Sequence, residues 1–182
     1  MSSYDLGDID AFTTGTVGRP GERVFYIQVR DGRDVVTFRC EKQQVAVLGS
    51  SLDRLLADLP TPTDGPLPTA LELVEPIQPA WVVGEMTLAF DPRRDRFVLE
   101  LRELIPDDLE TAAEADEDAE DDGDADLVDE DDDRDRARIL LSRGQAQAFA
   151  RHAERVVAAG RPACRFCGGP IDPDGHACPR MN

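Results

Sequence analysis

The stretch RVFYIQVRDGRDVVTFRCEKQQVAVLGSSLDRLLADLP, residues 23–60, carries the reading of the fold. In its first eight residues Phe25, Ile27 and Val29 alternate with Tyr26, Gln28 and Arg30, the two-residue period of a half-buried strand. Asp31-Gly32 supplies the positive φ that a tight hairpin favours, and DVVTFRC (34–40) reads as the return strand. From Glu41 the period changes. Val45, Leu48, Leu52, Leu55, Leu56 and Leu59 recur at three- and four-residue spacings, an amphipathic helix that Pro60 and Pro62 stop. Gly49 weakens its centre by up to ~1 kcal/mol relative to alanine.

Upstream, AFTTGTVG (11–18) is a short β-branched strand closed by the turn signal GRPGE. Downstream, PTPTDGPLPTALELVEPIQP (60–79) is a Pro-rich connector that crosses the surface or packs as an extended arm. A second hairpin follows. In WVVGEMTLAF (81–90), Val82, Met86, Leu88 and Phe90 are placed on one face; DPRRD turns, and RFVLELREL (96–104) returns with Phe97, Leu99 and Leu101 alternating. ARILL (137–141) reads as one more strand. SRGQAQAFARHAERVVAAG (142–160) reads as a helix, with Ser142 near its N-cap, Gly160 at its end and a stripe of Ala146, Phe149, Ala150, Ala153, Val156 and Val157.

Three strands and a helix therefore occur twice, which suggests a duplicated βββα unit. Cys40 and Gln43 align with Ser142 and Gln145, and Val47, Leu48 and Leu55 with Phe149, Ala150 and Val157. The expected fold class is α+β: a domain over residues 1–160 with halves at about 10–60 and 79–160. Two antiparallel sheets, or one merged sheet, would bury one face under both helices. Residues 161–182 form a separate zinc-binding tail in this reading.

Charge is unevenly spread. Residues 107–135 hold 18 acids and one base (Arg134), a net of -17, whereas the whole chain carries -18, so the remainder is close to neutral. This acidic insertion reads as a solvated, self-repelling disordered loop. One window in it, Asp118 to Asp129, approaches a calcium loop, but Ala125 and Asp129 stand where a larger aliphatic and a Glu belong. Neither part gathers the basic residues that phosphate-backbone binding needs, so nucleic-acid binding is disfavoured. The N-terminus lacks a basic start and an apolar signal core, and no run approaches the ~18 apolar residues of a membrane span. The expected location is cytoplasmic, where clustered cysteines read as metal ligands before disulfides.

Three of the four cysteines and one of the two histidines lie in CRFCGGPIDPDGHACPRMN, residues 164–182. Cys164-x-x-Cys167 followed by Gly168 is a metal knuckle, Pro170, Pro173, Asp174 and Gly175 provide a reversal, and His176-x-Cys178 returns a second pair. Three thiolates and one imidazole close a tetrahedron with no position left for water, which points to structural Zn2+. So short a tail cannot bury a sufficient core, so metal binding would fold it. A redox pair, an inert tail, and a three-cysteine site without His176 are the competing readings. Gly168, Gly169 and Pro170 oppose the helix a redox CxxC would open.

The tail CRFCGGPIDPDGHACPR, after a Gln- and Ala-rich helix, resembles the C-terminus of an uncharacterised actinobacterial domain-of-unknown-function family. FTTGTVGRPGERVFYIQ (12–28) resembles that family's N-terminus. The resemblance implies an intracellular actinobacterial partner protein. It also implies genes lying near a histidine-phosphatase-like protein, a phosphoinositide-kinase-like protein and a mycothiol-pathway cysteine ligase. It carries over no catalytic residue, and the long acidic insertion is where this chain is expected to depart from the family's pattern.

The remaining candidates have plain readings. His152 shares a helical stripe with Phe149 and Val156 and reads as a packed or half-exposed histidine. Cys40 reads as a small buried apolar residue. Gly15, Gly18 and Gly21 in TGTVGRPG lack the Lys-Ser/Thr and the helix of a phosphate loop. With no catalytic constellation and no cofactor site, the leading expectation is a non-enzymatic, zinc-containing adaptor or regulatory protein that binds other proteins. A phosphatase-like or kinase-like neighbour is a candidate partner. The alternatives are an enzyme or small-ligand binder with a site between the sheets, and nucleic-acid binding through Arg161, Arg165 and Arg180.

Overall fold

A computed structural model describes residues 3–60, 71–105, 134–160, 164–169, 171 and 175–181. Residues 106–133, which hold all of the acidic insertion except Arg134 and Asp135 and include the calcium-like window, lie outside the described residues. So do Arg161, Pro170, Pro173 and Asp174.

The fold is α+β: seven strands in one sheet with two helices. The strands are β1 (Ser3–Leu6), β2 (Ala11–Val17), β3 (Val24–Asp31), β4 (Asp34–Cys40), β5 (Pro79–Asp91), β6 (Arg96–Glu103) and β7 (Arg136–Leu141). The helices are α1 (Lys42–Ala57), between β4 and β5, and α2 (Arg143–Ala158), after β7. Strand order is β1-β7-β6-β5-β4-β3-β2. Each half is an antiparallel meander, and the halves join through the parallel pair β4–β5. One merged sheet is thus formed.

β1 was not foreseen. It pairs parallel with β7, Tyr4 opposite Ala137 and Leu6 opposite Ile139. Only residues 7–10 separate β1 at one edge from β2 at the other. Such a link spans at most ~17 Å, whereas the edges of a flat seven-stranded sheet stand ~29 Å apart. The sheet must curl. Tyr4 of β1 accordingly meets Phe38 of β4, ring centroids 6.0 Å apart, although three strands lie between them in the sheet.

The concave face holds the core. Phe25, Ile27 and Val29 stand opposite Cys40, Phe38 and Val36, while Phe97, Leu99 and Leu101 stand opposite Leu141, Ile139 and Ala137. Apart from Val36, which is half-buried and packs against the others, these side chains, with Trp81 beside Phe38, belong to one buried cluster. The α1 residues Val45, Leu48 and Leu52 and the α2 residues Ala146, Phe149 and Ala153 complete it, Phe149 stacking on Phe12 with centroids 4.5 Å apart.

Two sequence assignments shift. In β5 the register slips between Val83 and Glu85, so Trp81 and Val83, rather than Val82, share the buried side with Met86 and Leu88. Gly84 fits this bulge because a Cβ there would stand 2.9 Å from Leu104 Cα. The helix alignment moves by one residue. Glu41 and Ser142 are the N-caps, each backbone N–H donating to the amide oxygen of Gln44 or Gln145. The buried α1 residues Val45, Leu48, Gly49 and Leu52 then fall at the offsets of Ala146, Phe149, Ala150 and Ala153, although Gly144 and Ala148 of α2 are buried as well, and Val47, which the sequence aligns with Phe149, is 56% exposed.

The connector's second half packs as an arm. Leu71–Val74 crosses the convex face over a buried polar row, Thr13, Gln28 and Thr37, which are cross-strand neighbours. Gln28 grips the Val74 backbone twice, donating to its carbonyl at 3.0 Å and accepting from its N–H at 2.8 Å, and also donates to Thr37 Oγ1. Thr13 donates to the Leu71 carbonyl.

Candidate metal centre

The tail after α2 brings Cys164, Cys167, His176 and Cys178 together, with all four donor atoms within 4.8 Å of one another. Backbone chemistry builds the first pair. Gly168 N–H donates to the Cys164 carbonyl and Cys164 N–H to the Gly169 carbonyl, closing a tight loop around the sulfurs. Gly168 takes φ +75°, which a side chain would strain. Gly175 at φ +95° turns the chain just before His176. The Cys178 carbonyl then accepts from Met181 N–H.

The spacings suit one ion. Cys164 Sγ and Cys178 Sγ are 3.8 Å apart, and Cys167 Sγ and His176 Nε2 are 3.6 Å apart. A tetrahedral metal with ~2.3 Å bonds to sulfur and ~2.0–2.1 Å bonds to nitrogen has edges of about 3.8 Å and 3.6 Å. These residues could therefore hold a metal ion, and His176, the least secure donor on sequence grounds, stands in the cluster. Cys164 and Cys178 are buried, Cys167 half-buried. Hydrogen bonds from the backbone N–H groups of Cys167 and Phe166 pull the Cys164 thiol down to about 6, whereas burial and the neighbouring sulfurs push Cys178 up.

Around the cluster the tail presents an aromatic flanked by cations, a feature the donor spacing alone did not disclose. Phe166 is 48% exposed and Met181 67%. The Arg165 guanidinium lies 5.7 Å from the Phe166 ring centre, and Arg180 Nη1 donates to the Phe166 carbonyl at 3.1 Å.

The other singled-out residues are structural. Cys40 is buried on β4, and burial, reinforced by Glu41, pushes its thiol up to about 12. Half-buried His152 donates from Nε2 to the Thr14 carbonyl at 2.9 Å, tying α2 to β2. Gly18 and Gly21, both with positive φ, shape the β2–β3 turn. No described helix is long and apolar enough to cross a membrane.

The chain matches the model of a family described as "Protein of unknown function (DUF3090)" over residues 4–178, a span that runs from β1 through the last cysteine of the cluster. No curated protein and no solved structure matches it.

Proposed function

We propose that this chain, which belongs to the DUF3090 family of proteins of unknown function, is a non-enzymatic adaptor or regulatory protein of the cytoplasm whose zinc-stabilised tail binds other proteins. The observation that carries the reading is the closed set of four donors holding Phe166 outward. Three thiolates and an imidazole are one of the usual structural-zinc sets, and with no open position the ion would be structural. An aromatic ring with arginines beside it is the kind of anchor that dominates protein interfaces, so the partner would offer apolar and acidic groups to Phe166, Met181, Arg165 and Arg180. A phosphatase-like or kinase-like protein encoded nearby is the first candidate.

The test is elemental analysis of gently purified protein followed by affinity capture from the native cell. One zinc per chain is expected. Phe166→Ala should keep the zinc and lose the captured partners, and Cys167→Ser should lose both. Partner capture unchanged by both substitutions would overturn the reading.

A further inference from the structure

A cleft of about 300 Å³ lies between the amino end of α1 and the carboxyl end of α2. We infer that it binds a small phosphorylated molecule, a phosphate monoester in particular. Three cations from three elements line it: Arg23 beside the start of β3, Arg39 near the end of β4, and Lys42 in the first turn of α1. Glu41 is the one carboxylate in the lining, which leaves two net positive charges for a dianion.

Four observations support this assignment. First, Arg94, Arg138 and Arg143 are ion-paired elsewhere on the molecule, whereas Arg23, Arg39 and Lys42 make no ion pair among the described residues. Outside residues 107–135 the chain is nearly neutral, so such a gathering is not a matter of composition. Second, the first turn of α1 has no acidic side chain, so the N-cap Glu41 is the single carboxylate at the positive end of its dipole. Third, Lys42 would be disfavoured at that end of its own helix, but its Nζ reaches across to Gly160, at 3.5 Å from where a Cβ would stand, beside the negative end of α2. The ammonium thus stands at the cleft wall. Fourth, two of the three cations are arginines, whose guanidinium fork donates to two phosphate oxygens at a time. The volume is at the low end of ligand cavities, which run ~300–1,000 Å³, and suits a phosphate with a small organic group. The loop TGTVGRPG contributes only the wall at Gly21, so this is not a phosphate loop; side chains would do the binding.

None of the four cysteine-tail donors lines the cleft, so the site is tested without substituting them. Full-length, metal-loaded protein is titrated with inorganic phosphate and with ribose 5-phosphate while backbone amide shifts are followed. Saturable shifts confined to residues 21–25 and 39–43 are expected, with ribose 5-phosphate the tighter. Arg39→Gln/Lys42→Gln removes two exposed side chains and should weaken binding at least about tenfold with an unchanged melting temperature. Arg33→Gln, on the β3–β4 turn, should change nothing. Lys42 is the chain's single lysine, so its acetylation, read by mass spectrometry, should slow when ribose 5-phosphate is present. Shifts that never saturate, or binding indifferent to the double substitution, would overturn the proposal. So would retention on anionic phospholipid vesicles without affinity for either soluble probe, which would assign the charge cluster to a membrane surface.

Discussion

At Gly49 the side chain is missing because a second helix is there. A Cβ at this position would stand 3.1 Å from the Cβ of Ala153, tighter than ordinary packing, so the glycine that weakens α1 in isolation lets α1 and α2 meet. Gly49→Val is expected to destabilise by about 1–3 kcal/mol, seen as a lower urea midpoint with an unchanged slope. His152 makes a different prediction. Its Nε2–H is given to Thr14 O and its Nδ1 faces Arg155 Nη2 at 3.4 Å, an arrangement that suits the neutral ring. Burial, then Arg155, lower its pKa below the ordinary 6.5, outweighing the Thr14 carbonyl and Glu72, which act the other way. Below pH ~6.5 the unfolded chain therefore takes up a proton that the folded chain refuses, and stability falls as pH drops through that window. His152→Gln should flatten this part of the profile: the loss in urea midpoint between pH 7.5 and pH 5.5 should be smaller than in the parent.

Among the elements, the arm shows how a connector becomes structure. Its backbone is satisfied by side chains of the sheet, Gln28 supplying both a donor and an acceptor as a neighbouring strand would. Gly15 leaves the room: a Cβ there would stand 2.6 Å from Leu73 Cγ. Gln28→Leu leaves Val74 N–H and C=O without these partners and should cost about 1–3 kcal/mol. Faster hydrogen exchange at the Val74 amide, with β6 and β7 amides unchanged, would locate the loss in the arm; uniform loosening of all strands would contradict this account. In the sequence Gln28 looked like one more polar residue on the solvent side of a strand. Its burial depends on a segment 46 residues away, which no periodicity reports.

For the whole molecule, curling of the sheet and folding of the tail are separable events. The core cluster runs from Leu6 to Ala153 and contains none of the tail cysteines. Chelating the zinc that the tail is proposed to hold should therefore release protection at Cys164 N and Gly168 N, whose hydrogen bonds lie within the knuckle, and leave that of β2–β7 intact. Concerted loss of sheet protection on chelation would show that the two parts fold as one. The curl has its own test. Leu6→Asp places a charge in the core cluster beside Ile139 and should destabilise the whole sheet by more than ~3 kcal/mol, although β1 is only four residues long.

What could be read along the chain was whatever depends on neighbours. The six longer strands and both helices declare themselves because period two and period 3.6 are local consequences of which side chains face water. The four metal donors do so because they sit within fifteen residues and bend around glycines. The partners of β1, the bulge at Gly84, the buried amide of Gln28 and the cleft joining Arg23, Arg39 and Lys42 were settled by contacts between segments remote in sequence. Their energies arise only once the sheet has curled, so nothing in the local pattern could announce them.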